Sequence, residues 1–133
     1  MSTEVEHYLS LNEVSIAYDS KQVLSGISFS LQRGEIGCLL GPSGCGKTSL
    51  LRAIGGFEPL SGGRITLNNE VISQRQYTLA PEQRQIGMVF QDYALFPHLS
   101  VFENVKFGLH GLSQSESDTR SLYLLEQMLM LLN

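Results

Sequence analysis

Clustered positive charge is what this sequence of 133 residues most plainly lacks: nine Lys and Arg stand against 13 Asp and Glu, for a net charge of −4, and the basic residues form no run. Binding to a phosphate backbone needs a concentrated basic surface, so nucleic acid is excluded as the main partner. Cysteine is scarce as well. Cys38 and Cys45 are neither spaced as metal ligands nor numerous enough for a disulfide framework, which points to a reducing compartment. His7, His98 and His110 are scattered and complete no metal-ligand pattern with them. Long apolar runs are missing too. The most apolar stretch, Leu122 to Leu132, is broken by Glu126 and Gln127 and falls short of the roughly 20 residues a membrane span needs. The N-terminus carries Glu4 and Glu6 rather than a basic region followed by an apolar run, so no secretory signal is expected. A cytosolic chain, or one held at a membrane by a partner, is the simplest expectation.

What is present is the composition of a soluble domain, or of part of one, with 42% hydrophobic and 17% charged residues. Leu9 to Tyr18 and Val23 to Leu31 alternate apolar and polar residues, as paired strands do, with a turn near Asp19-Ser20-Lys21. Arg33-Gly34-Glu35 signals another turn, and the continuous apolar run Ile36 to Leu40 predicts a strand buried on both faces, as in a parallel sheet. From Lys47 to Ile54 the apolar residues Leu50, Leu51 and Ile54 recur at helical spacing before Gly55-Gly56, a helix-ending pair. Arg64 to Leu67 and Glu70 to Ile72 predict a short hairpin around Asn68-Asn69. Ile86 to Phe90 reads as a second core strand. Beyond Gln91 the pattern turns helical, from Val101 toward Leu109 and from Ser117 to Leu132, with Leu122, Leu125, Leu129 and Leu132 along one side. No Gly or Pro stop signal precedes Asn133, which reads as a chain cut within a helix.

Between the apolar run and the first helix lies Gly41-Pro42-Ser43-Gly44-Cys45-Gly46-Lys47-Thr48. It fits G-x-x-x-x-G-K-[ST], and each residue type has a mechanical reason. Glycines permit positive φ and let backbone N–H groups turn inward around anionic oxygens. The helix starting near Lys47 points its positive end at those oxygens. Lys47 reaches the β- and γ-phosphates of a nucleoside triphosphate, the Thr48 hydroxyl can hold Mg²⁺, and Ser49 follows on the first helical turn. An accidental match in a chain of this length has a chance on the order of half a percent under average residue usage. Cys45 is expected to be a small loop residue without redox work.

Kinases, GTPases, recombinases and transport ATPases all share such a loop, so the other segments must decide. Taken with Val89-Phe90-Gln91-Asp92-Tyr93-Ala94-Leu95-Phe96-Pro97-His98-Leu99-Ser100-Val101 and Glu103-Asn104-Val105, the loop resembles the nucleotide-binding subunit of ATP-binding-cassette (ABC) importers. The resemblance covers the chain from about Leu9 onward. It is strongest to the ATPases of ferric iron uptake, with polyamine, sulfate, molybdate and sugar importers as near relatives. It implies ATP and Mg²⁺ as cofactors, membrane permease subunits and a second ATPase copy as partners, and a peripheral place on the cytoplasmic face of the bacterial inner membrane. It also implies that Tyr18 stacks on adenine with Val23 beside it, and that Gln91 contacts Mg²⁺ and the attacking water and reports nucleotide state. Tyr93-Ala94-Leu95-Phe96-Pro97 would line the groove that receives a permease helix.

The resemblance further implies an α/β fold: a phosphate-loop core sheet, mainly parallel, with an antiparallel β-subdomain and the start of a helical subdomain. The boundary is expected near residue 92, with residues 1–92 holding the β-subdomain and loop and 93–133 the exit from the glutamine segment. Leu60-Ser61-Gly62-Gly63-Arg64 imitates the family's signature motif but precedes the hairpin rather than following Gln91, and reads as an ordinary turn. No true signature, no apolar strand ending in the Mg²⁺-binding Asp and catalytic Glu, and no switch His follows Gln91; Glu103, Glu116 and Glu126 lack the preceding apolar strand. These residues are therefore expected to bind ATP and to hydrolyse it slowly or not at all. A nucleotide-binding remnant and a soluble repair-type or chromosome-type cassette ATPase are the competing readings. The Phe96-Pro97-His98 segment and the lack of a zinc-site insertion favour transport over the latter.

Overall fold

The computed structural model describes residues 6–131; Glu4, Leu132 and Asn133, which enter the sequence reading, lie outside them. The chain divides into two compact units, one ending at Met88 and one beginning at Val89.

The first unit is built on an antiparallel sheet. Its strands are β1 (Leu9–Tyr18), β2 (Lys21–Leu31), β3 (Gly62–Leu67), β4 (Glu70–Gln74) and β5 (Tyr77–Thr78), in the order β2-β1-β3-β4-β5. The two tight turns lie where the sequence places them. Asp19 and Ser20 take φ of 45° and 68° between the paired Tyr18 and Lys21, and Asn68 and Asn69 take 48° and 66° between Leu67 and Glu70. Two successive positive-φ residues make the turn whose twist matches that of the strands it joins.

One face of the sheet carries the core. Leu11, Val14 and Ile16 of β1, Ile65 of β3 and Ile72 of β4 are buried with Leu60 and with Leu50 and Ala53 of α1 (Lys47–Gly55). Each of these Leu, Ile and Val side chains withdrawn from water contributes about 1.5 to 3 kcal/mol before chain entropy is counted. The helix is therefore held on the sheet by Leu50 and Ala53, three residues apart, with Ile54 half-buried beside them. Leu51, expected on the same face, is half exposed. At its end Gly56, with φ 93°, donates to the Ala53 carbonyl and Phe57 N–H donates to Arg52 O, which satisfies carbonyls the last turn leaves open.

Two features of this unit were not legible in the sequence. β1 bulges at Glu13, which has φ 49° and donates its N–H to Ser28 Oγ over 2.8 Å, and the pairing with β3 skips from Asn12 to Ser15. Gly63 (φ 78°) packs directly on that bulge; a Cβ there would lie 2.6 Å from Asn12 O and nearer still to Glu13 O. The second feature is Arg84, only 2% exposed, just beyond the short 3-10 turn Pro81–Gln83. Its Nε donates to Leu79 O, Nη1 to Ala53 O and Ile54 O, and Nη2 to Ile72 O and Ser73 Oγ, at 2.8 to 3.1 Å. Burial draws its pKa below the usual arginine value, with Tyr77 acting less strongly in the opposite sense, yet a guanidinium with every N–H satisfied stays charged.

The α/β class holds, but the two buried parallel strands do not form. Residues 36–40 and 86–90 join no ladder among the described residues, and Ile36, Leu40 and Val89 are 97%, 88% and 88% exposed. An apolar run marks a segment that can be covered on both faces; it does not supply the neighbour, and a parallel strand pairs only across a long connection. The expected parallel core sheet is thus replaced here by an antiparallel sheet alone.

In the second unit, α2 (Val101–Lys106) opens with a capping box. Ser100 Oγ accepts from Glu103 N–H, and the Glu103 carboxylate accepts from Ser100 N–H at 2.7 Å. Asn104 locks the preceding turn: its Oδ1 accepts from Phe96 N–H, and its Nδ2 donates to the carbonyls of Phe96, Leu99 and Ser100. The helix stops at Lys106, short of Leu109. α3 (Gln114–Leu131) begins earlier than Ser117, because Ser113 and Glu116 exchange hydrogen bonds at its start. Lys106 pairs with Asp118 at 2.5 Å across the two helices. The face α3 buries carries the small residues Ser117 and Ser121, while Leu122 and Leu129 are 55% and 61% exposed. The leucine stripe expected to be its packed side is therefore largely open; α2 approaches the face where serines leave room. Among the described residues no helix is long and apolar enough to cross a membrane.

Candidate functional site

The phosphate-loop residues link the sheet to α1. Gly44 and Gly46 take φ of 79° and 100°, in the left-handed region where a Cβ is strained. Gly46 is doubly constrained, since a Cβ would lie 2.7 Å from Leu24 Cδ2 and 3.2 Å from Val23 Cγ1. The loop is thus drawn against β2, and Val23 flanks its last glycine. At the other end, a Cβ on Gly41 would meet the Cys45 thiol sulfur at 2.7 Å. Cys45 fills the space inside the turn, its N–H donating to Pro42 O at 3.3 Å. Ser43 and Thr48 are exposed.

Lys47 turns back over this loop. Its ammonium donates to Gly41 O at 2.5 Å and Pro42 O at 2.8 Å, with the Cys45 sulfur at 3.6 Å. The cation therefore stands at the middle of the loop on two backbone carbonyls. Among the described residues no carboxylate pairs with it, and the first turn of α1 holds no acidic residue.

The first N–H groups of any α-helix have no partner within the helix. At α1 the N-cap is Gly46, which offers no side-chain acceptor. Amides of the first turn, a lysine ammonium and glycines that keep side chains away adjoin one another along this loop. That is the donor set an anion needs, and a triphosphate fits it in both charge and hydrogen bonding. Thr48, next along the helix, supplies a hydroxyl of the kind that ligates a hard divalent cation alongside phosphate oxygens. Among the described residues no group of three or more His, Cys, Asp or Glu side chains could hold a metal alone, so a cation here would share its ligands with a bound anion.

Tyr18 closes β1, 41% exposed, and its hydroxyl donates to Ser49 Oγ over 3.2 Å. The structure thus gathers Tyr18, Val23, the loop glycines, Lys47 and Ser49 within one unit. Gln91 is not among them: it belongs to the second unit, in an exposed turn followed by Tyr93 and Ala94 at φ 63° and 47°. Leu60-Ser61-Gly62-Gly63 serves the sheet, with Leu60 in the core and Gly63 on the β1 bulge. The Ser100/Glu103 box was missed by sequence reasoning although S-x-x-E was available as its signal; Arg84 carried no comparable local signal.

The spermidine/putrescine import ATP-binding protein PotA of Hahella chejuensis is 50% identical over 101 residues, which is 76% of this chain and 27% of that protein. The Fe(3+) ions import ATP-binding protein FbpC 2 of Haemophilus influenzae is also 50% identical over 101 residues, 76% of this chain and 28% of its own length. The chain therefore spans little more than a quarter of these curated relatives. Among solved structures, CbiO1 from Clostridium perfringens, described as part of the ABC transporter complex cbiONQ, has 32% identity and a TM-score of 0.69 over 86% of this chain and 47% of that one. A dimeric ATP-binding cassette in a post-hydrolysis state, bound to ADP and Pi, has 27% identity and a TM-score of 0.76 over 89% of this chain and 56% of that one. The ABC transporter family model matches residues 24–132, taking in the phosphate loop and the Gln91 segment alike, and by that match the chain belongs to the ABC transporter family.

Proposed function

We propose that this chain is the phosphate-loop part of an importer ATPase and that it binds Mg-ATP through Gly41 to Ser49. The observation that carries the reading is the uncapped, acid-free start of α1 beside a loop with Gly44 and Gly46 at positive φ and the Lys47 ammonium at its centre. On this reading the first-turn amides and Lys47 hold the β- and γ-phosphates, Lys47 exchanging its loop carbonyls for phosphate oxygens. Tyr18 and Val23 receive the base. Thr48 would hold Mg²⁺, which would supply charge neutralisation for phosphoryl transfer.

The nucleotide-bound cassette structure among the structural neighbours and relatives named as import ATP-binding proteins support this proposal. Two copies facing each other, permease subunits and a peripheral place on the cytoplasmic side of the inner membrane belong to it. A relative named for ferric ions and one named for spermidine/putrescine share the same 50% identity, so similarity gives iron no precedence as cargo and the proposal stops at import. Since no signature, Mg²⁺-binding Asp, catalytic Glu or switch His follows Gln91 in these residues, they bind ATP without turning it over at an appreciable rate. The experiment is a titration of fluorescent ATP with and without Mg²⁺, displaced by unlabelled ATP, with phosphate release followed in parallel. Saturable, displaceable binding with no release is expected; absence of binding overturns the reading.

A further inference from the structure

We infer that Arg84 is a positioning residue for the phosphate loop: it fixes the far end of α1 to β4 and so sets where the first-turn amides of that helix stand. The inference rests on the nucleotide reading above and adds a residue that touches no phosphate.

A guanidinium has five N–H donors, and Arg84 places all five on protein acceptors, four backbone carbonyls and one hydroxyl. No carboxylate is among them, so the group is not there to neutralise a buried charge. Its acceptors instead come from three places: Ala53 and Ile54 at the C-terminal end of α1, Ile72 and Ser73 on β4, and Leu79 beyond β5. A cation is favoured at a helix C-terminus by the dipole, and a planar fork holds five donors in a fixed geometry where an ammonium has three on a flexible stem.

Geometry carries the effect to the loop. α1 has nine residues and starts at Lys47, so it is a rod of about 14 Å with the clamp at one end and the phosphate site at the other. Core packing by Leu50 and Ala53 presses the rod onto the sheet but is non-directional; the five hydrogen bonds fix its rotation and slide. Gly56 leaves room for the clamp, since a Cβ there would lie 2.6 Å from Arg84 Nε.

The test compares the unsubstituted chain with Arg84→Lys, which keeps a charge but not the fork, and with Ser73→Ala, which removes one acceptor and spares the fold. Amide hydrogen exchange is followed across α1, β1 and β2, and ATP affinity is measured beside it. In Arg84→Lys, exchange across α1 is expected to rise about tenfold or more while the β1–β2 hairpin keeps its protection. ATP should bind roughly tenfold more weakly, with Ser73→Ala lying between in both readouts. Uniform loosening of hairpin and helix would show a merely structural arginine and overturn the proposal, as would a loosened α1 with unchanged affinity. If Arg84→Lys does not fold, Ser73→Ala decides by the same two readouts. Failure of the unsubstituted chain to take ATP sinks the nucleotide reading itself; binding that neither variant alters sinks the positioning role alone.

Discussion

The Tyr18 hydroxyl donates to Ser49 Oγ over 3.2 Å, joining the end of β1 to the first turn of α1. The proposed base platform and the proposed phosphate site are therefore tied together before any nucleotide arrives. The two contributions of Tyr18 can be separated. Tyr18→Ala removes ring and hydroxyl, and ATP affinity is expected to fall by about 1 to 3 kcal/mol, the usual worth of stacking on one base. Tyr18→Phe keeps the ring and should fall by less than about 1 kcal/mol. Equal losses in the two variants, read by calorimetric titration, would assign the effect to the hydrogen bond instead.

Gly63 is predicted to be indispensable to the sheet and silent toward nucleotide. Gly63→Ala puts a Cβ at φ 78° against the backbone of Asn12 and Glu13, where nothing flexible can yield. The expected cost is about 2 kcal/mol or more, measured by denaturant unfolding. Ser61→Ala, by contrast, should change neither stability nor ATP affinity appreciably, since Ser61 is exposed. A large affinity loss there would mean that Leu60 to Gly63 acts on nucleotide after all.

The helical unit is expected to loosen in acid. The Ser100 N–H and, less strongly, its hydroxyl hold the Glu103 carboxyl below its ordinary pKa, and the Ser113 hydroxyl and N–H do the same for Glu116. A depressed folded-state pKa means these carboxylates stabilise the helix starts above about pH 4.3, the unfolded value, and lose that effect as pH falls through the folded pKa. The N–H signals of Ser100 and Ser113 should therefore lose protection as pH falls below the ordinary glutamate value. Glu103→Gln should remove the pH dependence at Ser100 and leave that at Ser113.

Ile36, Leu40 and Val89 predict self-association. Nearly full exposure of large apolar side chains on unpaired backbone offers both a hydrophobic contact and free ladder groups. Sedimentation at tens of micromolar should show species larger than the 14.7 kDa chain, and Ile36→Lys with Val89→Lys should shift the population toward monomer. A monomer with a sharp cooperative thermal transition would contradict this.

What the sequence made legible was whatever is encoded locally. The alternation in residues 9–18, the Asn68-Asn69 turn, the Gly55-Gly56 helix end and the spacing of Gly41, Gly46 and Lys47 each act through the backbone of their own segment, and each has its place in the structure. What escaped was set by partners distant in sequence. Arg84 finds its acceptors at residues 53, 54, 72, 73 and 79, and no short window around Pro81 announces a buried cation. The same reason accounts for the two strands that did not form and for α3, where Ser117 and Ser121 outrank the leucines because α2 packs on that side.

On the proposed function, the Lys47 ammonium exchanges its two carbonyls for phosphate oxygens when nucleotide binds. Calorimetric titration of Mg-ATP into the chain and into Lys47→Ala tests it directly. Saturable binding by the former, weakened at least about a hundredfold in the latter as expected for a lost charge-assisted contact, is the predicted result. Equal affinity in the two proteins, or no binding by either, would contradict it.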